Sequence, residues 1–296
     1  MEAFFQQLLN GLSLGAIYAL IALGYTMVYG VLRFINFAHA DVFMSGAFIG
    51  YYAAQRLPPG TVWGGLAVLG AAMLGCALIG MLIERLAYRP LRGAPTLNVL
   101  ITAIGVSLLM EYSGQLFFGA TPRTFPAVFP TKQFSLGGLA ISSNQLLVIA
   151  AALALVAALQ LIIHRTRIGT AMRAVAQNPR AAQLMGVNNS RVIAFTFGLG
   201  SALAGAGGIL YALNYPSIDP LMGVSPGLKA FTAAILGGIG NIPGAALGGL
   251  LLGTVETFVS GSALSTYKDA IAFTILLTIL FFRPAGLLGR ATAEKV

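Results

Sequence analysis

The sequence predicts an all-α polytopic membrane protein with about eight to nine transmembrane helices, and three observations indicate this class. The 296-residue chain is 57% hydrophobic and only 8% charged, whereas soluble domains carry about a quarter charged residues. Several uncharged runs reach the roughly 20 apolar residues that a spanning helix needs. These runs do not alternate polar and apolar residues as the strands of a transmembrane β-barrel do. The longest uncharged runs are 3–32, 61–83, 133–163, 192–218 and 230–255.

The N-terminal region contains the first crossing and the first break in apolar sequence. Residues 3–32 span once, the polar segment 33–41 (RFINFAHAD) follows, and a second apolar run continues to Gln55. The segment 33–41 is either a cytoplasmic turn, with the N-terminus outside, or a break at membrane depth. Charge does not decide between them, because Arg33 and Arg56 favour opposite orientations under the positive-inside rule.

Two arginine clusters set the orientation of the middle of the chain. Crossings at 95–118 and 145–164 separate the clusters, so both clusters lie on the same side of the membrane. The positive-inside rule makes that side cytoplasmic, and the loop 119–144 then faces outward. The first cluster is Arg85, Arg89 and Arg92 in one loop, and the second is Arg165, Arg167, Arg173, Arg180 and Arg191.

The C-terminal third requires a helical hairpin. A crossing at 191–213 leads to an external loop, 214–226, and the last full span, 266–282, must enter from outside because a basic tail follows it. The stretch 227–261 therefore begins and ends outside, so it folds back on itself, as two short spans or a re-entrant pair. The glycine- and proline-rich segment 237–244 (GGIGNIPG) marks the break. The basic residues of the tail are Arg283, Arg290 and Lys295.

Both halves of the chain thus contain a polar or glycine-rich break inside apolar sequence. Paired breaks of this kind indicate a transport pathway, and polar groups at membrane depth are costly enough to mark functional positions. Near the outer end of the last spans, Lys268 is placed to pair with Glu256 or Asp269. The candidate pathway residues are Asn36, His39, Asp41, Gly238, Gly240 and Asn241.

The segment 165–186 is a basic loop that is longer than a turn requires. It contains four arginines, Arg191 follows as a fifth, and no acidic residue lies between positions 165 and 191. It predicts one short helix at 169–177 and a second at 179–185. Asn178 and Pro179 form a helix-start signal, and Gly186 is a helix stop. Such a helix fits a groove on a soluble partner, and the alternative is an interfacial helix on anionic lipid.

Other function classes find no support. The net charge of +9 reflects cytoplasmic loops, so nucleic acid is not an expected partner. The single cysteine, Cys76, excludes a disulfide within the chain. Phosphate-loop, H-E-x-x-H and G-x-S-x-G motifs are absent, so the chain is not expected to hydrolyse ATP by itself. His39 and His164 are far apart, and neither a metal site nor a cofactor is expected.

Two levels of resemblance indicate a family. Residues 180–186 (RAAQLMG) are similar to the E-A-A-x-x-x-G loop with which bacterial ABC importer permeases dock on their ATPases, although Arg180 replaces the acidic first residue. The whole chain strongly resembles the branched-chain amino-acid ABC permeases of the LivH type. The segments that carry this likeness, in order, are INFAHAD (35–41), YRPLRGAP (88–95), AVAQNP (174–179), PGLKAF (226–231), LGGIGNIPGA (236–245) and RPAGLLG (283–289).

This resemblance implies that residues 1–296 form one ABC importer permease domain in the bacterial inner membrane. Its implied partners are a paralogous permease subunit, two ABC ATPase subunits and a periplasmic substrate-binding protein. The implied substrate is a branched-chain or related amino acid, and membrane lipid surrounds the complex. The alternative is a stand-alone channel or secondary carrier for small polar solutes. The implied ATPase-coupling residues are Arg173, Asn178, Pro179, Arg180, Ala181, Ala182 and Gly186.

Overall fold

The computed structural model describes residues 1–58, 60–136, 138–283 and 285–289, which form a helical bundle with two small β-ribbons. Arg290 and Lys295, on which the orientation of the tail partly depended, lie outside the described residues. The helices are α1 (Glu2–Leu32), α2 (His39–Ala54), α3 (Val62–Ile83), α4 (Thr96–Phe118), α5 (Ser143–Arg165), α6 (Arg167–Gln177), α7 (Pro179–Leu184), α8 (Asn189–Asn214), α9 (Val224–Gly237), α10 (Ile242–Ser260) and α11 (Lys268–Phe282). The strands are β1 (Arg123–Thr124), β2 (Gln133–Leu136), β3 (Leu139–Ser142) and β4 (Ser217–Ile218).

The all-α membrane class is confirmed. Within the described residues, seven helices are long and apolar enough to cross a membrane. Helices α2 and α9 are shorter, with 16 and 14 residues, and each is joined to one of the two predicted breaks. The expected count of eight to nine crossings therefore corresponds to seven long helices and two short ones.

Helix α1 is the centre of the bundle, because most of its length is buried by α8, α9 and α10. Glycines allow its backbone to approach that of α10. A Cβ added at Gly15 would stand 2.7 Å from the Cα of Leu250, and one added at Gly11 would stand 2.7 Å from the Cα of Thr254. Small residues are what allow helices to pack this closely where lipid supplies no hydrophobic driving force.

The sequence predicted that the first arginine cluster lies in a loop, but only Arg92 does, and Arg85 and Arg89 are helical. Helix α3 continues as a π-helical turn, Glu84–Tyr88, and a 3₁₀ turn, Arg89–Leu91. Glu84 is buried, and its carboxylate pairs with the guanidinium of Arg92. The pairing neutralises the carboxylate of Glu84, which would otherwise favour an end of the helix at the membrane surface. The helical span therefore extends to Leu91.

The structure decides the side of the N-terminus. The side chain of Gln6 forms two hydrogen bonds with the backbone of Ala140, each 3.0 Å long, in the outward loop. Arg33, at the other end of α1, lines the same cavity as Arg92 and Arg180. Since the arginines mark the cytoplasmic side, α1 runs from outside to inside and the segment 33–38 turns on the cytoplasmic side.

The external segments 119–144 and 214–226, which the sequence predicted only as loops, contain two short β-ribbons. Strand β2 pairs with β3 in a hairpin, and β1 pairs with β4 across two external loops that are far apart in the sequence. The predicted C-terminal hairpin is confirmed, because α9 and α10 pack against each other and are joined by the glycine-rich residues 238–241.

Candidate functional site

The cytoplasmic face contains a cavity of about 1000 Å³ that four separate parts of the chain enclose. The end of α1 supplies Arg33, the end of the α3 extension supplies Arg92, α7 supplies Arg180, and the start of α8 supplies Ser190. Arg92 donates a 2.9 Å hydrogen bond to the Ser190 hydroxyl. The fold therefore brings the start of the first break, one arginine of each cluster and the predicted coupling segment to one place.

Helix α6 is attached firmly to the end of α5. The side chain of Thr166 caps it by accepting a 3.1 Å hydrogen bond from the amide of Gly169. The guanidinium of Arg173 donates to the carbonyl of Ile163, one of the free carbonyls at the end of α5. Met172 is buried on the inner face of α6. A displacement of this segment is consequently transmitted to α5.

Helix α7 begins and ends as its sequence predicts. The side chain of Asn178 accepts a 3.0 Å hydrogen bond from the amide of Ala181, with Pro179 in the first turn. Gly186 follows the helix with a φ of +85°, a conformation that favours glycine. Ala182 is buried towards the bundle.

The surface of α7 that faces away from the bundle, together with Met185, is a small apolar and basic platform. Leu184 and Met185 are 89% and 85% exposed, and Arg180 is also exposed. The side-chain amide of Asn189 donates a 2.8 Å hydrogen bond to the carbonyl of Pro179, which ties α7 to the start of α8. The platform is thus held in place from behind while its own apolar side chains have no cover within the described residues.

The first break is packed into the bundle through all three of its candidate residues. Asn36 accepts a 2.5 Å hydrogen bond from the hydroxyl of Tyr88. The His39 ring lies against Gly24, and Asp41 accepts a 2.5 Å hydrogen bond from the Ser107 hydroxyl of α4. Gly24 lies about two helical turns before the end of α1, so α2 begins at membrane depth. The break is both a cytoplasmic turn and a re-entry into the membrane.

The second break lies at the cytoplasmic end of the bundle, where Gly240 approaches Gly30 of α1. Gly238 and Gly240 have φ values of +104° and +90°, which only glycine adopts at low cost. Asn241 accepts from the amide of Gly244 at 3.1 Å and donates to the carbonyl of Leu288 at 2.6 Å. The C-terminal residues 285–289 therefore cover this break, and the place of Asn241 in a pathway stays a prediction.

A buried ion cluster near the outer face was missed by sequence reasoning. The ammonium of Lys229 lies 2.6 Å from a carboxylate oxygen of Glu256 and 2.8 Å from one of Asp269. Tyr18 donates a 2.9 Å hydrogen bond to the other Glu256 oxygen. The expected partner, Lys268, is exposed instead. Both Lys229 and Glu256 interrupt apolar sequence, 27 positions apart. Two opposite charges in such positions could have indicated this pair.

Comparison with known proteins agrees with this architecture. The family model for the branched-chain amino acid transport system permease component matches residues 7–280. The chain is 42% identical to the high-affinity branched-chain amino acid transport system permease protein BraD of Pseudomonas aeruginosa, over 99% of this chain and 98% of the relative. It is 40% identical to the corresponding LivH protein of Escherichia coli K12, with the same coverage.

A probable branched-chain amino acid transport permease protein of Methanocaldococcus jannaschii is 31% identical, over 91% of this chain and 88% of the relative. No solved structure matches the chain. A family model that covers nearly the whole chain and relatives of 40–42% identity over 98% of their length leave one conclusion. The chain belongs to the family of branched-chain amino acid transport permeases.

Proposed function

We propose that this chain is a permease subunit of an ATP-driven importer for branched-chain or related amino acids in the bacterial inner membrane. It would form the pathway together with a second, paralogous permease subunit. Two ABC ATPase subunits would supply the energy and a periplasmic binding protein would supply the substrate. The observation that carries the proposal is the α6–α7 segment, an ordered platform on the cytoplasmic face of a membrane bundle.

The geometry supports a coupling role for this segment. Leu184 and Met185 are apolar anchors of the kind that a helix places in a partner's groove. Arg180 lies beside them, in the position where the related loops carry an acid, so the matching ATPase surface would be acidic here. Arg173 fixes α6 to α5, which gives a force on the platform a rigid path into the membrane.

The pathway would lie along the two breaks. Asn36, His39 and Asp41 are polar groups buried in the bundle, and Gly238, Gly240 and Asn241 lie in the turn of the hairpin. Helices can change their relative tilt at such interruptions because the helical ladder is already open there. The substrate need be held only weakly, since the binding protein supplies affinity and ATP sets the direction of transport.

Deletion of residues 180–186 tests the coupling role. In a reconstituted complex with its ATPases, second permease and binding protein, we expect the deletion to abolish ATP-dependent leucine uptake. The membrane helices should remain folded, because α7 packs only on the cytoplasmic surface. The measurements are labelled-leucine uptake and thermal unfolding of the purified chain.

Retention of uptake by the deletion variant would disprove the coupling role. Leucine uptake by the purified chain alone in liposomes, driven by a gradient without ATP, would instead favour the alternative of a stand-alone channel or secondary carrier. Competition by other amino acids in the same assay identifies the substrate.

A further inference from the structure

Helix α4 is largely exposed although it carries several polar side chains. Within it only Val99, Ala103 and Gly114 are buried, and its contacts are mainly with α2 and the π-helical turn of α3. Helices α3, α5 and α11 are also largely exposed. One face of each must therefore meet lipid or another protein.

The four exposed helices differ in the chemistry of their middle turns. From 62 to 83, α3 has no polar residue except Cys76, and the stretch 146–159 of α5 is wholly apolar. Helix α11 has two threonines in its middle, Thr274 and Thr278, whose hydroxyls bond to carbonyls of their own helix. These three surfaces are suited to lipid.

Helix α4 differs, because it carries a stripe of polar side chains that do not bond to carbonyls of their own helix. Ser107, Glu111 and Gln115 are spaced four residues apart, so they lie on one face, and all three are partly exposed. The Ser107 hydroxyl reaches the carboxylate of Asp41, which is itself 1% exposed. The stripe therefore borders the beginning of α2, where the first break re-enters the membrane.

Glu111 excludes lipid as the neighbour of this stripe. It lies within the span of α4, and within the described residues its carboxylate has no hydrogen bond or ion pair. A carboxylate within a membrane helix is costly to place against lipid. Such residues face the interior of an assembly or a water-filled cavity, so the structure of one subunit is incomplete at this surface.

We propose that the second permease subunit covers this face of α4, and that Ser107, Glu111 and Gln115, backed by Asp41, form this subunit's wall of the transport pathway. The inference rests on the proposed function. A pathway for a polar solute must be closed to lipid on every side, which one bundle does not achieve here. Beside the stripe, Tyr112 and Leu116 are 64% and 80% exposed and supply an apolar contact surface.

Charge indicates what the partner contributes. The stripe and Asp41 bring two carboxylates together, and no lysine or arginine pairs with either carboxylate in the described part of the chain. The covering subunit is thus expected to present hydroxyl, amide or cationic groups at the same depth.

Thiol accessibility tests the wall. In a Cys76→Ala background, single cysteines replace Ser107, Glu111 and Gln115, and a small cationic methanethiosulfonate reagent is applied to the assembled complex in vesicles. Matched controls on α5 are A151C and L155C, which are also partly exposed and lie at similar depth. We expect the stripe positions to react at least tenfold faster than the controls. Reaction at the control rate would overturn the proposal.

Photo-crosslinking tests the partner. A photoreactive phenylalanine analogue replaces Tyr112, and in a second variant it replaces Leu153 of α5, which is similarly exposed at 61%. The analogue at position 112 should capture the second permease subunit, and the one at 153 should capture lipid. Capture of lipid alone at 112, or of the same subunit at both positions, contradicts the assignment.

These experiments separate the inference from the function on which it rests. Both are read from the assembled complex by labelling and mass, without a transported substrate. If the wild-type complex imports leucine but the stripe cysteines react at the control rate, the placement of the stripe in the pathway wall is refuted and the proposed function is not. A wild-type complex that imports neither leucine nor any other amino acid refutes the function, whatever the labelling contrast shows.

Discussion

Lys229 is the buried charge on which the packing of the C-terminal hairpin depends. It lies on α9, Glu256 on α10 and Asp269 at the start of α11, so one ammonium joins three helices. Lys229 and Glu256 are each only 5% exposed. A buried ion pair adds little net stability, but the removal of one partner leaves an uncompensated charge and costs about 3–5 kcal/mol.

We therefore predict that Lys229→Met lowers the free energy of unfolding by an amount near that range, because Glu256 loses its counter-ion. The double variant Lys229→Met/Glu256→Gln should recover most of the loss, and Lys268→Met, at the exposed lysine, should cost little. Unfolding of each variant in detergent micelles measures the differences. A double variant as unstable as the single one would show that the cluster is not a charge pair.

At the scale of the element, α7 is too short to be stable by itself. Its six residues form less than two turns, and isolated helices shorter than about 12 residues are marginal in water. The Asn178 cap, the Asn189 contact and the Gly186 stop together hold it in place. The cap contributes about 1 kcal/mol by the usual cost of replacing such a residue with alanine.

We predict that Asn178→Ala loosens α7 and lowers the leucine imported per ATP hydrolysed, while Asn178→Ser, which retains a capping oxygen, stays near wild type. The expected cause is the loss of the hydrogen bond from the Ala181 amide. Uptake and ATP hydrolysis, measured together in the reconstituted complex, give the ratio. Equal ratios in both variants would mean that the cap does not contribute to coupling.

At the scale of the whole molecule, the orientation of α1 fixes the orientation of every other helix. The N-terminus lies with the outward loop and the α7 platform lies on the opposite side. The native Cys76 is buried, so it gives little background in thiol labelling.

We predict that Ala3→Cys reacts with a membrane-impermeant maleimide in intact spheroplasts, whereas Gln183→Cys reacts only in inverted vesicles that lack the ATPase subunits, which would otherwise cover α7. Both side chains are exposed, so a difference in labelling reports the side of the membrane and not burial. Mass spectrometry of the labelled protein measures it. Labelling of both positions from the same side would contradict the arrangement of α1.

Local chemistry was enough to predict the spans, the hairpin and the limits of α7. Apolar length, glycine and proline breaks, and capping residues such as Asn178 act within a few positions of the chain, so they are visible in the sequence. The continuation of α3 through the arginines was not visible, because the charge of Glu84 is neutralised by Arg92 only when the helix folds. The β-ribbon between β1 and β4 joins loops about a hundred positions apart and has no local signal.

By itself the sequence determined that this protein is a membrane bundle with a basic cytoplasmic segment and two interruptions, because hydrophobicity and charge sort residues by depth and side. Only the tertiary structure decided which polar groups meet. It placed the N-terminus outside, paired Lys229 with Glu256 and set Ser107 on Asp41. These contacts depend on helix rotation and neighbour choice, which packing between distant segments fixes and which hydropathy along one chain does not encode.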